Sequence, residues 1–396
     1  MLRPLDRDEA AAAAARAAAS FGRTVDDALV DRQRAAIDDD VLWGLEHDGR
    51  VVAHCRLLPT RHWFGGRAVD SLDIGGVAVA PPERGQGFAR RMMQLAVAHG
   101  AAQHYGLSLL YPATTRLYRA LGWGHAGEWT RYELDARAAP RGGPVLRHAG
   151  DDDWPAIQRC WERFARAQQG PAQRRQATWD ALAGATYHYL LPDGDAGAGA
   201  TADDPGAGEV AAYVLVDHAP IPDSWQHAVV VRDWAATTPA GLRAVVGFCG
   251  SHGTTAATVR FTAATPPQWA MLLPEQDIRR SGGMWWMARA LDLEQAIAQR
   301  GFPDTLSLDV TLRVSDPLLP VWDRPLRLEV GSGKGRLVEA RDADVTLEAS
   351  AVGPLYTGFR SPDDLALAGL LRGPRRARDL LAAAFAGSHP CLYHIF

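Results

Sequence analysis

The residues with the clearest chemical potential lie between Val77 and Met92. The run Val77-Ala78-Val79-Ala80-Pro81-Pro82-Glu83-Arg84-Gly85-Gln86-Gly87-Phe88-Ala89-Arg90 starts as a β-branched strand, breaks at two prolines and enters a helix through Arg-Gly-x-Gly. Gly85 and Gly87 remove Cβ atoms where the chain turns, so successive N–H groups can converge on an anion at the positive end of the next helix. The chemistry this suggests is the holding of a pyrophosphate. A Rossmann loop would need three glycines and an acidic residue about 20 positions on. A P-loop would need a lysine, and the chain's one lysine, Lys334, is far away. An ordinary strand-to-helix turn is the plain alternative. Further on, a strand over 107–111 runs into Pro112, which ends it. Thr114 or Thr115 can cap a short helix and Gly122 can stop it before Trp123, setting Tyr118 about one turn inside. A tyrosine packed for its shape is the alternative there. The third candidate is the chain end, Pro390-Cys391-Leu392-Tyr393-His394-Ile395-Phe396, apolar where chains usually fray into polar residues. A docked end would carry the Phe396 α-carboxylate into a cleft. Its ordinary pKa is about 3.5, and partial burial raises it toward the range of a general base.

With Arg84, Gly87 and Ala89 at R-x-x-G-x-A spacing, the loop resembles the acetyl-CoA loop of the GNAT acetyltransferases. Tyr118 through Trp123 resembles their Y-x-x-x-G-[WF] setting, in which the tyrosine protonates the departing thiolate. Loop, Tyr118 and a chain ending in Phe together resemble the Eis (enhanced intracellular survival) family, whose terminal carboxylate is the general base. The resemblance implies an α/β (α+β) chain of two GNAT-like domains in tandem followed by a sterol-carrier-like domain, acting as an acetyl-CoA-dependent N-acetyltransferase. Carried over by residue, it implies that Val77, Ala78 and Val79 pair backbone groups with the pantetheine arm. Arg84, Gly85, Gln86, Gly87, Phe88, Ala89 and Arg90 would form the pyrophosphate loop, and Ala113 and Thr114 would lie beside the cofactor. Tyr118 would be the general acid and Phe396 the base, with Val79 N–H helping to polarise the thioester carbonyl. The acceptor would be a primary amine, either a small molecule or a protein lysine. A polyamine, an aminoglycoside and a tailoring intermediate all remain open. One departure bears on this: the aminoglycoside acetylators of the family carry acidic and aromatic residues soon after the first helix. Here that stretch reads Ser20-Phe21-Gly22-Arg23-Thr24-Val25-Asp26-Asp27, with Arg23 where a carboxylate is expected. The resemblance also suggests a homo-oligomer, a hexamer. Two rival readings are a non-catalytic acetyl-CoA sensor and a lipid-binding module.

The elements that must position these residues follow from local signals. Residues 41–46 and 50–57 read as hairpin strands joined at His47-Asp48-Gly49, and a second hairpin turns at Gly65-Gly66. A helix from Gly87 to about His99 offers Met92, Met93, Leu95 and Ala96 to a core. His54, His62, His99 and His104 lack ligand spacing and read as structural or solvated. Ala139-Pro140-Arg141-Gly142-Gly143-Pro144 is a linker, which gives a catalytic domain over 1–139. A second GNAT-like domain over 145–284 restarts with a strand at 145–147 and a helix led by Asp151, Asp152 and Asp153. Those carboxylates suit a helix N-terminus better than a metal. Residues 193–209, rich in Gly, Ala and Asp, read as a mobile hairpin loop. The strand 228–234 leads to Thr237-Thr238-Pro239 with no R-x-x-G-x-[GA], so a second cofactor site is not expected. The third domain, 285–396, is read as a helix over 284–297, strands over 306–312 and 325–330, helices from Ser361 and Pro374, and a terminal strand that delivers Phe396.

Composition agrees with this reading. At 396 residues the chain exceeds a single core of ordinary size. A net charge of −4 leaves no basic excess for a nucleic acid backbone. Cys55, Cys160, Cys249 and Cys391 have no C-x-x-C spacing, so reduced thiols, no metal site and a cytoplasmic setting are expected. Charges interrupt the alanine-rich start, so an amphipathic first helix rather than a signal peptide is expected there. No apolar stretch is long enough for a membrane span.

Overall fold

The computed structural model describes residues 1–194 and 209–396, so most of the loop expected over 193–209 lies outside the described residues. The chain forms two compact units. One joins residues 1–127 to 285–388 and Phe396; the other joins 128–284 to 389–395.

The first unit opens with β1 (Leu2–Pro4), α1 (Ala10–Phe21) and α2 (Asp27–Asp38), then β2 (Leu42–His47), β3 (Arg50–Phe64) and β4 (Arg67–Val79). After these come α3 (Phe88–Ala102), β5 (Leu107–Leu110), α4 (Thr115–Arg119) and β6 (Gly124–Asp135), which continues into the second unit. Gly22 in the left-handed region (φ 62°) ends α1. Asp26 begins α2 by accepting the Leu29 N–H at 2.7 Å. The β2–β3 turn uses two left-handed residues, Asp48 (φ 49°) and Gly49 (φ 71°), whose twist suits a tight hairpin. Gly65 and Gly66 do the same between β3 and β4. The strands are ordered β1-β2-β3-β4-β5, antiparallel except for the parallel β4–β5 pair. Met92, Met93, Ala96 and Val97 of α3 are buried against Leu57, Leu72 and Ile74. The core expected from α3 thus gains Val97, and Leu95 packs only at its edge.

The second unit contains β7 (Arg147–His148), α5 (Trp154–Arg166), α6 (Gln176–Ala183), β8 (Tyr187–Pro192), β9 (Val210–Pro220), β10 (His227–Ala236), α7 (Pro239–Ser251), β11 (Ala256–Ala263) and the start of β12 (Ile278–Ala290), whose residues from Trp285 on belong to the first unit. Its strand order is β6-β11-β10-β9-β8-β7, with β10 and β11 parallel. Asp153 pairs with Arg147 at 2.7 Å and accepts the Gly150 N–H, and this holds its carboxyl down at about 2. The acidic run therefore anchors a helix start.

The C-terminal part of the first unit runs α8 (Leu293–Gln299), β13 (Leu308–Ser315), β14 (Leu326–Gly331), β15 (Lys334–Glu339), β16 (Val345–Glu348), α9 (Ala349–Tyr356), α10 (Pro362–Leu367), β17 (Leu371–Arg372) and α11 (Arg375–Ala384). Its five strands are ordered β15-β14-β13-β16-β17. The helix expected over 284–297 is corrected here. Met287 to Ala290 form strand, paired antiparallel with Leu110 to Leu107 of β5, and the helix begins only at Leu293, where Asp292 caps the Gln295 N–H at 3.0 Å. Residues 286–290 are all buried, the charged Arg289 included, so burial here shows no period that separates a strand from a helix. The terminal strand is corrected too: beyond α11 only Cys391 forms a bridge, to Glu128.

Candidate active site

The parting of β4 and β5 creates the site. Their parallel pairing covers Ser71 with Leu107 and Ile74 with Leu110, and then β5 ends. Beyond Ile74, β4 carries on to Val79. Between the pairs Gly75–Arg56 and Ala78–His54 it places two residues, Gly76 and Val77, opposite the single Cys55. This is a β-bulge, and Gly76 (φ 58°) supplies its left-handed turn. The Ala80 N–H bonds to Val52 O of β3 at 3.0 Å. Backbone groups alternate along a strand, so the N–H and C=O of Val79 face the opposite edge, toward the parting. Ala78 is instead in register with His54.

The glycine loop follows directly. Gly85 (φ 81°) and Gly87 (φ 84°) both adopt the left-handed region, and a Cβ on either would meet nothing within 4 Å. The first helical bond of α3 is Arg91 N–H to Gly87 O at 3.0 Å, and the amides of Gln86, Gly87, Phe88, Ala89 and Arg90 donate to no backbone carbonyl among the described residues. The loop thus presents a run of open donors at a helix N-terminus. The Arg84 guanidinium turns away from it, to Ala19 O at 3.1 Å and Val79 O at 3.4 Å. That contact ties the loop to the end of α1.

Tyr118 lies in α4 and is 4% exposed, packed in one cluster with Cys55, Ile74, Leu110 and Trp123, to which Val77 and Val79 also add. Burial, and secondarily the nearby Cys55, pushes its hydroxyl up to about 12. It therefore holds its proton at neutral pH. Thr114 stands before α4 with extended backbone (φ −145°), but its hydroxyl makes no cap. Thr115 also fails to cap: its hydroxyl lies 3.4 Å from His125. The expected threonine cap is corrected on both counts. Ala113 precedes Thr114 in the same connection.

Phe396 reaches the same place. A Cβ built on Gly75 would lie 3.5 Å from the Phe396 terminal oxygen, the Phe396 ring is 5.5 Å from that of Tyr111, and it packs on the cluster holding Leu5 and Leu58. Gly75 and Tyr111 are the first residues past the last β4–β5 pair, so the chain terminus sits at the fork of the two strands. Sequence reasoning missed Gly75 and Tyr111, because only the docked terminus makes them part of the site. It also missed the buried group formed by His62, Asp73 and Ser71, with Asp73 at 2.7 Å from His62 and accepting the Ser71 hydroxyl at 2.5 Å. His54 is buried as well, and burial with two neighbouring arginines lowers it to about 3, so it stays neutral. The four cysteines are buried and their thiols are pushed up to about 12, which makes them poor nucleophiles. Among the described residues there is no group of three or more metal-ligating side chains, and no helix is long and apolar enough to cross a membrane.

Family models match three stretches: an acetyltransferase (GNAT) domain over 1–126, a second acetyltransferase (GNAT) domain over 170–290, and a sterol carrier protein domain over 293–393. No curated protein matches the chain. Among solved structures, it is similar to a GCN5-related N-acetyltransferase from Anabaena variabilis, 23% identical with all of both chains covered and a TM-score of 0.90. A GCN5-related N-acetyltransferase from Kribbella flavida is 25% identical, covering 100% of this chain and 98% of its own, at a TM-score of 0.85. Eis1 from Mycobacterium abscessus is 20% identical over all of both chains, at a TM-score of 0.79.

Proposed function

We propose that this chain, an Eis-like N-acetyltransferase with two GNAT domains and a sterol carrier protein domain, moves an acetyl group from acetyl-CoA directly to a primary amine. The observation that carries the mechanism is the position of the Phe396 terminus against Gly75, where β4 and β5 part. Acetyl-CoA would place its pyrophosphate on the amides of Gly85 to Arg90 and run its pantetheine arm along Val77 and Val79. The acceptor nitrogen attacks the thioester carbonyl, the N–C bond forms and the C–S bond breaks. The Phe396 carboxylate takes the amine proton, directly or through water, and the Tyr118 hydroxyl gives its proton to the CoA thiolate. The Val79 N–H, facing the parting, would stabilise the carbonyl oxygen as it becomes anionic. The acting species would be a homo-oligomer, a hexamer on the family resemblance, which light scattering checks.

The test is CoA release from acetyl-CoA across a panel of primary amines, run with the free Phe396 terminus and with a version extended by one glycine. The extension moves the carboxylate about 3.5 Å along the chain. It should abolish turnover while leaving acetyl-CoA binding intact. Equal turnover of both versions would remove Phe396 as base. Binding by both without turnover on any amine would favour a sensor. Lipid carriage has little support: the apolar cavity between Leu312, Leu347, Leu355 and Phe385 of the carrier domain measures about 30 Å³, about the volume of one water.

A further inference from the structure

The second unit repeats the strand fork but not the phosphate loop. Parallel pairing of β10 with β11 ends at Val230 and Arg260, and β10 then bulges at Arg232, just as β4 bulges past its last parallel pair. No glycine loop follows. The Thr238 hydroxyl accepts the Gly241 N–H at 3.0 Å, and a Cβ on Gly241 would lie 2.6 Å from Ala211 O, so this helix start is capped and packed on β9. This helix start therefore does not repeat the run of open amides seen from Gln86 to Arg90. The fork itself opens into a cavity of about 500 Å³, closed on one side by Tyr393, His394 and Ile395.

Charge sets the character of this cavity. Arg131, Arg174, Arg232 and Arg260 all line it, against one lining carboxylate, Asp233. Arg174 is spent on Asp233, which also accepts the Tyr213 hydroxyl, and its guanidinium stacks on Trp161 at 3.3 Å. Its Nε is nonetheless buried with no hydrogen-bond partner. Arg232 has Asp217 at 2.9 Å, and Arg260 shares Glu133 with Arg279. Arg131 lies over the ring of Trp129 and forms no ion pair with a described residue. The balance is positive; Trp129, Leu182, Val230 and Phe261 supply apolar wall, with the hydroxyls of Thr178 and Thr262 among them. We propose that the strand fork of the second acetyltransferase domain is a binding site for a small organic anion, with its charged head on the arginines and its apolar body against Phe261 and Leu182. This ligand is distinct from acetyl-CoA.

Benzoate is the probe, with benzylamine and benzyl alcohol as cationic and neutral counterparts of the same shape. Titrations use the full-length protein with excess CoA, which fills the glycine loop of the first unit. Benzoate should raise the melting temperature and give a saturable calorimetric signal, and the other two should not. The double variant Arg131→Ala, Arg260→Ala should weaken benzoate at least about tenfold, the loss of roughly one charge-assisted contact. Both side chains reach solvent, so the fold should survive, as the ligand-free melt would verify. Leu182→Trp, which keeps every arginine and narrows the cavity, should have the same effect. The proposal is overturned if benzoate does not bind, if benzylamine binds equally well, or if either variant binds benzoate as tightly as the parent.

Discussion

Tyr118 suits the work of an acid because it is buried. A hydroxyl held at about 12 remains protonated through the working range and gives up its proton only to a strong base formed beside it. Tyr118→Phe should lower kcat by about 10²-fold with little change in the KM for acetyl-CoA. A comparable rise in KM would mean that the ring only shapes the pocket. The same pKa sets the alkaline side of the rate profile: as an acid, Tyr118 is active when protonated, so kcat should not fall on its account until the pH nears 12. A descending limb near pH 8 that is absent from the Tyr118→Phe variant would contradict this. The sequence placed Tyr118 in a short helix between Pro112 and Gly122, but its burial also needs Cys55 and Ile74, which are distant in the chain.

At the scale of elements, the proposed binding role of the glycine loop and the support of α4 can be tested separately. Gly87 holds a φ of 84° at the start of α3. Gly87→Ala meets no steric obstacle, so its cost is the left-handed backbone alone, about 1–2 kcal/mol. Acetyl-CoA affinity should fall about 5- to 30-fold, read by calorimetry, with kcat at saturating cofactor nearly unchanged. Behind α4, the buried Arg289 of β12 pairs with Asp316 and donates to Leu121 O, three residues after Tyr118. Asp316→Ala leaves that guanidinium buried without its partner and should cost about 3–5 kcal/mol of stability in denaturant melts. The R-x-x-G-x-A loop was legible because its spacing is local. The strand at 286–290 was not, since residues buried on every side suit a strand and a helix alike until their partner, β5, is known.

For the whole molecule, the buried thiols make stability depend on alkaline pH. Cys55, Cys160, Cys249 and Cys391 are each raised from 9.0 to about 12 by burial. A folded-state pKa above the unfolded value gives stability that is fully present below about pH 9 and is lost as the pH rises toward 12, because the unfolded chain releases those protons first. Thermal melts should therefore show a falling Tm from about pH 9 upward, and a Cys55→Ser variant should soften that fall. A Tm that is flat from pH 8 to 11 would show the thiols to be open to water.

The sequence by itself determined the parts that depend on neighbours in the chain: the strand, glycine loop and helix from Val77 to Ala102, the Tyr118 turn, and the order of two acetyltransferase domains followed by a carrier domain. Backbone conformation and hydrogen-bond donors there follow from residue types a few positions apart. Only the tertiary structure decided that Phe396 rests against Gly75 and Tyr111, that Met287 to Ala290 complete the edge of β5, and that the second fork is lined with arginine. Each is a meeting of residues separated by many tens or hundreds of positions, chosen by which apolar faces bury one another and which charges find partners. No local spacing encodes that choice.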